Sequence, residues 1–214
     1  MSRRPDFRAI LLSLATAVSF AACAGARMQT APAAPAGAQP AAKPPAPSAQ
    51  RVTANARALA EVRSRIAAYV GLHRELAATL PPLAKDATSE QIDRHQRALA
   101  QLLQKARQGA KPGDIFTPAG RSVIRRLIDV VLRGPDGKGL RDSIRDENPG
   151  SLSIAVNARY PGSVPLTTMP TKLLEGLPKL PKELEYRFIG DRLILLDLDP
   201  QLIVDLIDHA VKPL

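Results

Sequence analysis

Two histidines could lie close enough to each other in the fold to bind a metal ion. His73 and His95 each fall on an apolar stripe with helical period. They lie at similar distances on either side of a loop centred near Lys85, so in an antiparallel hairpin they would stand at about the same height. Imidazoles so placed could share a transition metal with Glu75 or Asp93. This spacing predicts a candidate metal site of His73, His95, Glu75 and Asp93.

A structural role for the two histidines is the competing interpretation, and the sequence favours it. Each ring would lie at the edge of the core, with one nitrogen bonded to a protein oxygen and the other to water. A third interpretation is a pH-sensitive contact between the rings. Helical zinc sites usually place two histidines four residues apart, a pattern that does not occur here. No cofactor is therefore predicted, and the transition-metal site remains a hypothesis.

Carboxylates near the end of the chain are the second candidate for chemistry. They are Asp191, Asp197, Asp199, Asp205 and Asp208. Two of them could form a general acid and base. Asp191 and Asp199 fall in predicted turns, where Asp bonds the local backbone, and Asp205 is expected to point outward from a strand. We interpret the cluster as turn-forming or solvent-facing, predict no catalytic residue, and favour a protein that is not an enzyme.

A helical hairpin is predicted to position the histidines. Apolar residues recur at three-and-four spacing over residues 53–80, and a proline pair then ends this first helix. Ser89 is the expected N-cap of a second helix, which stops near Gly109. Thr117 and Pro118 are typical of an N-cap and a first helical position, and they open a third helix.

The remaining pattern predicts one more helix and then strands. Gly134 closes the third helix, and a fourth is expected over residues 140–147. Apolar residues alternate over 151–157, which predicts a strand. A proline-rich path with one helical turn at most, around Leu173, leads to a meander of three strands at 184–189, 192–198 and 202–207. The fold class is α+β, a helical hairpin and further helices followed by a small antiparallel β meander.

The first 22 residues have the parts of a secretory signal. Arg3, Arg4 and Arg8 precede a short apolar run over residues 9–22, which is too short for a comfortable membrane span. We therefore expect a signal peptide that is removed on export to the cell envelope.

The end of this signal resembles the lipobox of bacterial lipoproteins, in Phe20, Ala21, Ala22 and Cys23. That resemblance implies a lipid on the Cys23 thiol and cleavage on its amino side, although Phe20 stands where the family usually has Leu. Cys23 is the only cysteine. The alternative is ordinary cleavage after Ala24 or Ala26, which would release a soluble periplasmic or secreted protein.

Residues 23–50 are predicted to be the Cys anchor and a disordered linker rich in Ala and Pro, which would hold a single domain, 51–214, off the membrane. In that domain, helices extend to about 147 and strands begin at about 151. Many lipoproteins that stay in the inner membrane have Asp directly after the Cys, where this chain has Ala24. The resemblance therefore implies the outer membrane, with the domain in the periplasm.

Charge divides the predicted domain. Residues 51–126 hold 14 basic and 6 acidic side chains, whereas 183–214 hold 3 basic and 7 acidic ones. The basic helices would suit an anionic envelope polymer or lipid surface, and another envelope protein is an alternative partner. No nucleic-acid partner is expected, because export would remove the chain from DNA and few aromatic residues are present to stack on bases.

Short segments along the whole predicted domain resemble landmarks of a family of exported bacterial proteins of unknown function. They are YVGLHR at 69–74, HQRAL at 95–99, GDIF at 113–116, DENPG at 146–150 and LEYRFIG at 184–190. The segment 186–207 is also similar to the tail of some periplasmic nickel and cobalt homeostasis proteins. These resemblances imply export and one domain. We expect a non-catalytic, lipid-anchored binding or structural module, with a metal-binding protein or enzyme that uses the histidines as the alternative.

Overall fold

The computed structural model describes residues 47–146, 154–161 and 169–211, in which five helices precede three strands. They are α1 (Pro47–Ala77), α2 (Ser89–Ala106), α3 (Pro118–Leu132), α4 (Gly137–Asp146), α5 (Thr171–Gly176), β1 (Leu184–Ile189), β2 (Arg192–Asp197) and β3 (Leu202–Ile207). The α+β class is confirmed. The predicted signal, Cys23 and most of the linker lie outside the described residues. Within them, no helix is both long and apolar enough to cross a membrane.

The first helix is longer at its start than predicted. α1 begins at Pro47, inside the predicted linker, and ends at Ala77. Its buried side chains keep the predicted three-and-four spacing: Ala58, Val62, Ile66, Tyr69, Val70 and His73. Alanines and arginines, which favour helix, extend the same element upstream of the first buried residue. Composition alone therefore misplaced the boundary between linker and helix.

The second helix is capped one residue earlier than predicted. The Thr88 side chain accepts a hydrogen bond from the Gln91 backbone N–H, and the Gln91 side chain accepts one from the Thr88 N–H. This reciprocal pair is a capping box, which satisfies two N–H groups that a helix start leaves open. Thr88, rather than Ser89, is thus the N-cap.

The third helix begins as predicted, and the fourth begins early. Thr117 caps α3 through the Gly120 N–H, with Pro118 in the first helical position. α4 starts at Gly137 rather than at residue 140, because the Leu140 N–H already donates to the Asp136 carbonyl, and Gly137 lies directly against the end of α3. A Cβ on Gly137 would stand 1.8 Å from the Leu132 carbonyl oxygen, so only glycine allows this approach.

The predicted meander is confirmed. β1, β2 and β3 pair antiparallel in chain order, with Tyr186 opposite Leu195 in the first pair. One face of the sheet packs on the helices, and the other packs on residues that include Ile154, Val156 and Tyr160. Because both faces are covered, β2 is a nearly continuous apolar run instead of an alternating one.

The strand predicted over 151–157 is not formed in its described part, residues 154–157. Asn157 adopts a φ of 67°, which no extended strand allows. The chain around it instead lies along β3: the Asn157 N–H donates to the Ile203 carbonyl and the Tyr160 N–H to that of Gln201. The alternating apolar side chains cover the sheet from outside it. Residues 147–153, including the predicted end of the fourth helix, lie outside the described part.

Candidate functional site

A β-bulge decides where the acidic residues of the meander point. Leu195 pairs with Asp205 and Leu196 with Ile203, so β3 has one extra residue, Val204, at this level. A bulge shifts the alternation of side chains along a strand. The side chains of Val204 and Asp205 consequently both lie on the face of the sheet that packs on the helices. The freed Val204 carbonyl accepts a hydrogen bond from the Arg107 guanidinium at 2.9 Å.

Asp205 is fully buried, so the expectation that it points outward is wrong. Its Oδ2 accepts the N–H groups of Ile115 and Phe116 at 2.8 and 2.7 Å, and its Oδ1 accepts that of Gly113 at 2.9 Å. The Leu206 N–H, at 2.7 Å, is a fourth donor. One carboxylate thereby fixes the loop between α2 and α3 on the sheet. All of its donors come from the protein backbone, which assigns Asp205 a structural role.

A second buried carboxylate joins α1 to the sheet. Tyr69 Oη donates to Asp197 Oδ2 at 2.6 Å, and His73 Nδ1 lies 2.6 Å from the same oxygen. Tyr69 and His73 meet Asp197 together because residues four apart share one helix face. The hydrogen bond to Asp197 is the largest effect on His73 and raises the pKa of its imidazole. Burial raises the pKa of Tyr69 well above its ordinary range.

The four predicted metal ligands are not assembled around one point. His73 bonds Asp197, whereas Nδ1 of the half-buried His95 has no hydrogen-bond partner among the described residues. Glu75 is exposed on α1, and Asp93 pairs with Arg97 at 2.7 Å. In the described ranges, no three His, Cys, Asp or Glu side chains are grouped so that they could hold a metal ion.

The other aspartates lie in turns or at strand ends, as predicted. Asp191 and Asp199 are turn residues, and Asp191 pairs with the exposed His209. Asp208 follows β3 and pairs with Arg192 at 3.1 Å. These pairs are partly exposed and contribute little to stability.

A basic cavity is the feature that the sequence interpretation missed. It has a volume of about 540 Å³ and lies where the end of α3, the start of α4 and the turn after β3 meet. Its lining includes four cationic side chains and one carboxylate: Arg125, Arg133, Lys138, Arg141 and Asp129. His209, Leu132 and Pro135 also line it. The close approach of Gly137 to α3 brings the two groups of basic residues to the same opening.

Two of these cations are held in place by the backbone. Arg125 Nη2 donates to the Asp208 carbonyl at 2.6 Å, and Arg141 Nη1 donates to the Leu132 carbonyl. Both side chains are half-buried, and neither forms an ion pair within the described part of the chain. Arg133 and Lys138 do have ion pairs, with Asp129 and Asp142, and are more exposed. Arg125 and Arg141 therefore carry positive charge for which the described fold supplies no anion.

Charge alone could have drawn attention to this cavity, since the segment from Arg125 to Arg145 is rich in Arg and Lys. The sequence does not show which of these side chains converge, because that depends on the contact between Gly137 and α3.

The chain was compared with models of known families, with curated proteins and with solved structures, and it matches none of them.

Proposed function

We propose that this protein is a non-catalytic module of the cell envelope that binds an anionic group in the basic cavity. The proposal depends on one observation: Arg125 and Arg141 are half-buried and have no carboxylate partner among the described residues. Partly buried charge is costly unless it is compensated, so a bound anion would stabilise this arrangement. The planar guanidinium group can also bond two oxygens of a phosphate or a carboxylate at once.

Export and lipidation are part of the same proposal. The signal pattern and the lipobox-like residues before Cys23 favour a lipid-anchored protein whose domain faces the periplasm, with the outer membrane favoured. The anionic partner would then be an envelope lipid or polymer, or another envelope protein. A soluble periplasmic or secreted protein is the alternative, which follows if the signal is cut after Ala24 or Ala26.

Intact mass tests the anchor. The protein purified from membranes of its own host should have the mass of an acylated chain that begins at Cys23, and the Cys23→Ser variant should lose this modification. An unmodified chain that begins after Ala24 or Ala26 would refute the anchor and leave the cavity proposal standing.

Vesicle binding tests the cavity. A chain with Cys23→Ser, which cannot be acylated, should sediment with vesicles that contain phosphatidylglycerol but not with pure phosphatidylcholine. Combined Arg125→Gln and Arg141→Gln changes should weaken this binding at least about tenfold, since hydrogen bonds to charged groups contribute about 1.5–3 kcal/mol each. Arg63→Gln with Arg94→Gln is the matched control, because it removes the same charge from exposed positions on α1 and α2. Equal losses in both double variants would show that net charge, not the cavity, drives the binding.

A further inference from the structure

The positive side chains that line the cavity favour an anion with more than one negative charge. Arg133 and Lys138 already have carboxylate partners, at 2.7 and 3.0 Å, whereas Arg125 and Arg141 have none in the described ranges. In the described part of the chain, two half-buried positive charges thus remain without a paired carboxylate. A phosphate monoester carries close to two negative charges at neutral pH, whereas a carboxylate or a phosphodiester carries one.

The donors suit a group with several terminal oxygens. Each guanidinium has five N–H donors, and the backbone carbonyls of Asp208 and Leu132 fix the two heads through one nitrogen each. Heads that are already oriented lose less freedom when a ligand binds. A monoester presents three terminal oxygens, enough to accept from both arginines and from Lys138, which also lines the cavity.

The cavity has room for more than a phosphate. Its volume of about 540 Å³ falls within the range of about 300–1,000 Å³ that is usual for ligand pockets. Leu132, Pro135 and Ala210 add apolar surface to the lining. These residues could pack against a larger group that carries the phosphate.

We infer that the basic cavity takes a phosphate monoester carried on a larger group, with Arg125 and Arg141 as its principal donors. This inference rests on the proposed function, because it names the class of anion that the cavity binds. The monoester can come from a lipid headgroup or from a soluble phosphorylated sugar. Both sources present the same chemistry to the two arginines.

Binding measurements on the Cys23→Ser chain test the inference. Glucose 1-phosphate and glucose are titrated by calorimetry, and vesicles of phosphatidylcholine are made with either phosphatidic acid, a monoester, or phosphatidylglycerol, a diester, at matched surface charge. We expect phosphatidic acid vesicles to bind at least about tenfold more tightly than phosphatidylglycerol vesicles, or glucose 1-phosphate to bind at least about tenfold more tightly than glucose, because paired guanidinium contacts to a dianion are strong. Binding of glucose 1-phosphate indicates a soluble source, and binding of phosphatidic acid alone indicates a lipid.

Variants separate this inference from the proposed function. Arg125→Gln with Arg141→Gln should lose at least about tenfold in monoester binding, while the Arg63→Gln and Arg94→Gln control stays within about twofold. Lys138→Gln changes an exposed residue of the same cavity and should also weaken monoester binding. It tests the inference even if the arginine variant does not fold. Equal binding of monoester and diester vesicles, lost in the arginine variant, would overturn the inference and keep the proposed function. Absence of binding to every probe would overturn both.

Discussion

Replacing Asp205 by Asn removes a charge and half of the acceptors from a buried network. The carboxylate accepts four backbone N–H groups, those of Gly113, Ile115, Phe116 and Leu206. In the variant, the amide oxygen can still accept two of them, but the amide NH2 faces the other two. Each buried donor that loses its acceptor costs about 1–3 kcal/mol, so we expect a loss of about 2–6 kcal/mol in the free energy of unfolding. That is a large part of the usual 5–15 kcal/mol of a domain.

Urea unfolding followed by circular dichroism measures this loss in the Cys23→Ser chain. Asp208→Asn is the control, because it makes the same chemical change in a side chain that is about half exposed and pairs with Arg192. The control should change the free energy of unfolding by less than about 1 kcal/mol. A loss below about 1 kcal/mol for Asp205→Asn would refute the assignment of Asp205 as the group that fixes the loop before α3.

Three further predictions concern the contacts of α1 and α4. Gly137→Ala should destabilise the fold by at least about 1–3 kcal/mol, because its Cβ would overlap a carbonyl of α3, whereas Gly139→Ala, with open space at its Cβ, should be neutral or stabilising; thermal melts compare the two. Since the pKa of His73 is raised in the fold, its protonated form stabilises the protein fully below the ordinary pKa of 6.5, and this contribution is lost as pH rises through the raised value. The stability advantage of wild type over His73→Gln should therefore shrink from pH 6 to alkaline pH, and an advantage that grows would contradict the pairing with Asp197. Tyr69→Phe should cost about 1.5–3 kcal/mol in urea unfolding, because the buried Asp197 loses a short hydrogen bond, and an unchanged midpoint would count against it.

The sequence predicted elements well where local signals and burial agree. Thr117 and Pro118 mark the start of α3, and the turn residues Gly190 and Asp191 separate two strands whose bounds match the structure to within one residue. The α1 stripe was also visible, because its buried residues keep a helical period over several turns. The segment 154–157 misled the interpretation, since alternating apolar residues occur both in a strand and in a chain that covers a sheet face.

Long-range contacts could not be predicted from the sequence, because they join residues that only the fold brings together. The bulge at Val204 changes the face of the sheet to which the Asp205 side chain points, and no residue type in the sequence predicts this bulge. His73 was recognised as a polar residue on an apolar stripe, but its partner, Asp197, is distant in the chain and belongs to the acidic cluster. The cavity likewise depends on Gly137. The sequence predicts a turn residue there and does not show its contact with Leu132.

The acidic end of the chain and the basic helical part are complementary in charge. Asp197 and Asp205 receive their hydrogen bonds from α1 and from the loop before α3, and Glu183 pairs with Arg74 of α1 at 2.7 Å. Each of these carboxylates has at least one partner in α1 or in the loop before α3. Within the described residues, Arg125 and Arg141 donate to carbonyl oxygens instead, those of Asp208 and of Leu132 at the end of α3. Because a carbonyl cannot neutralise a guanidinium, we expect these two arginines to attract an anion from outside the fold.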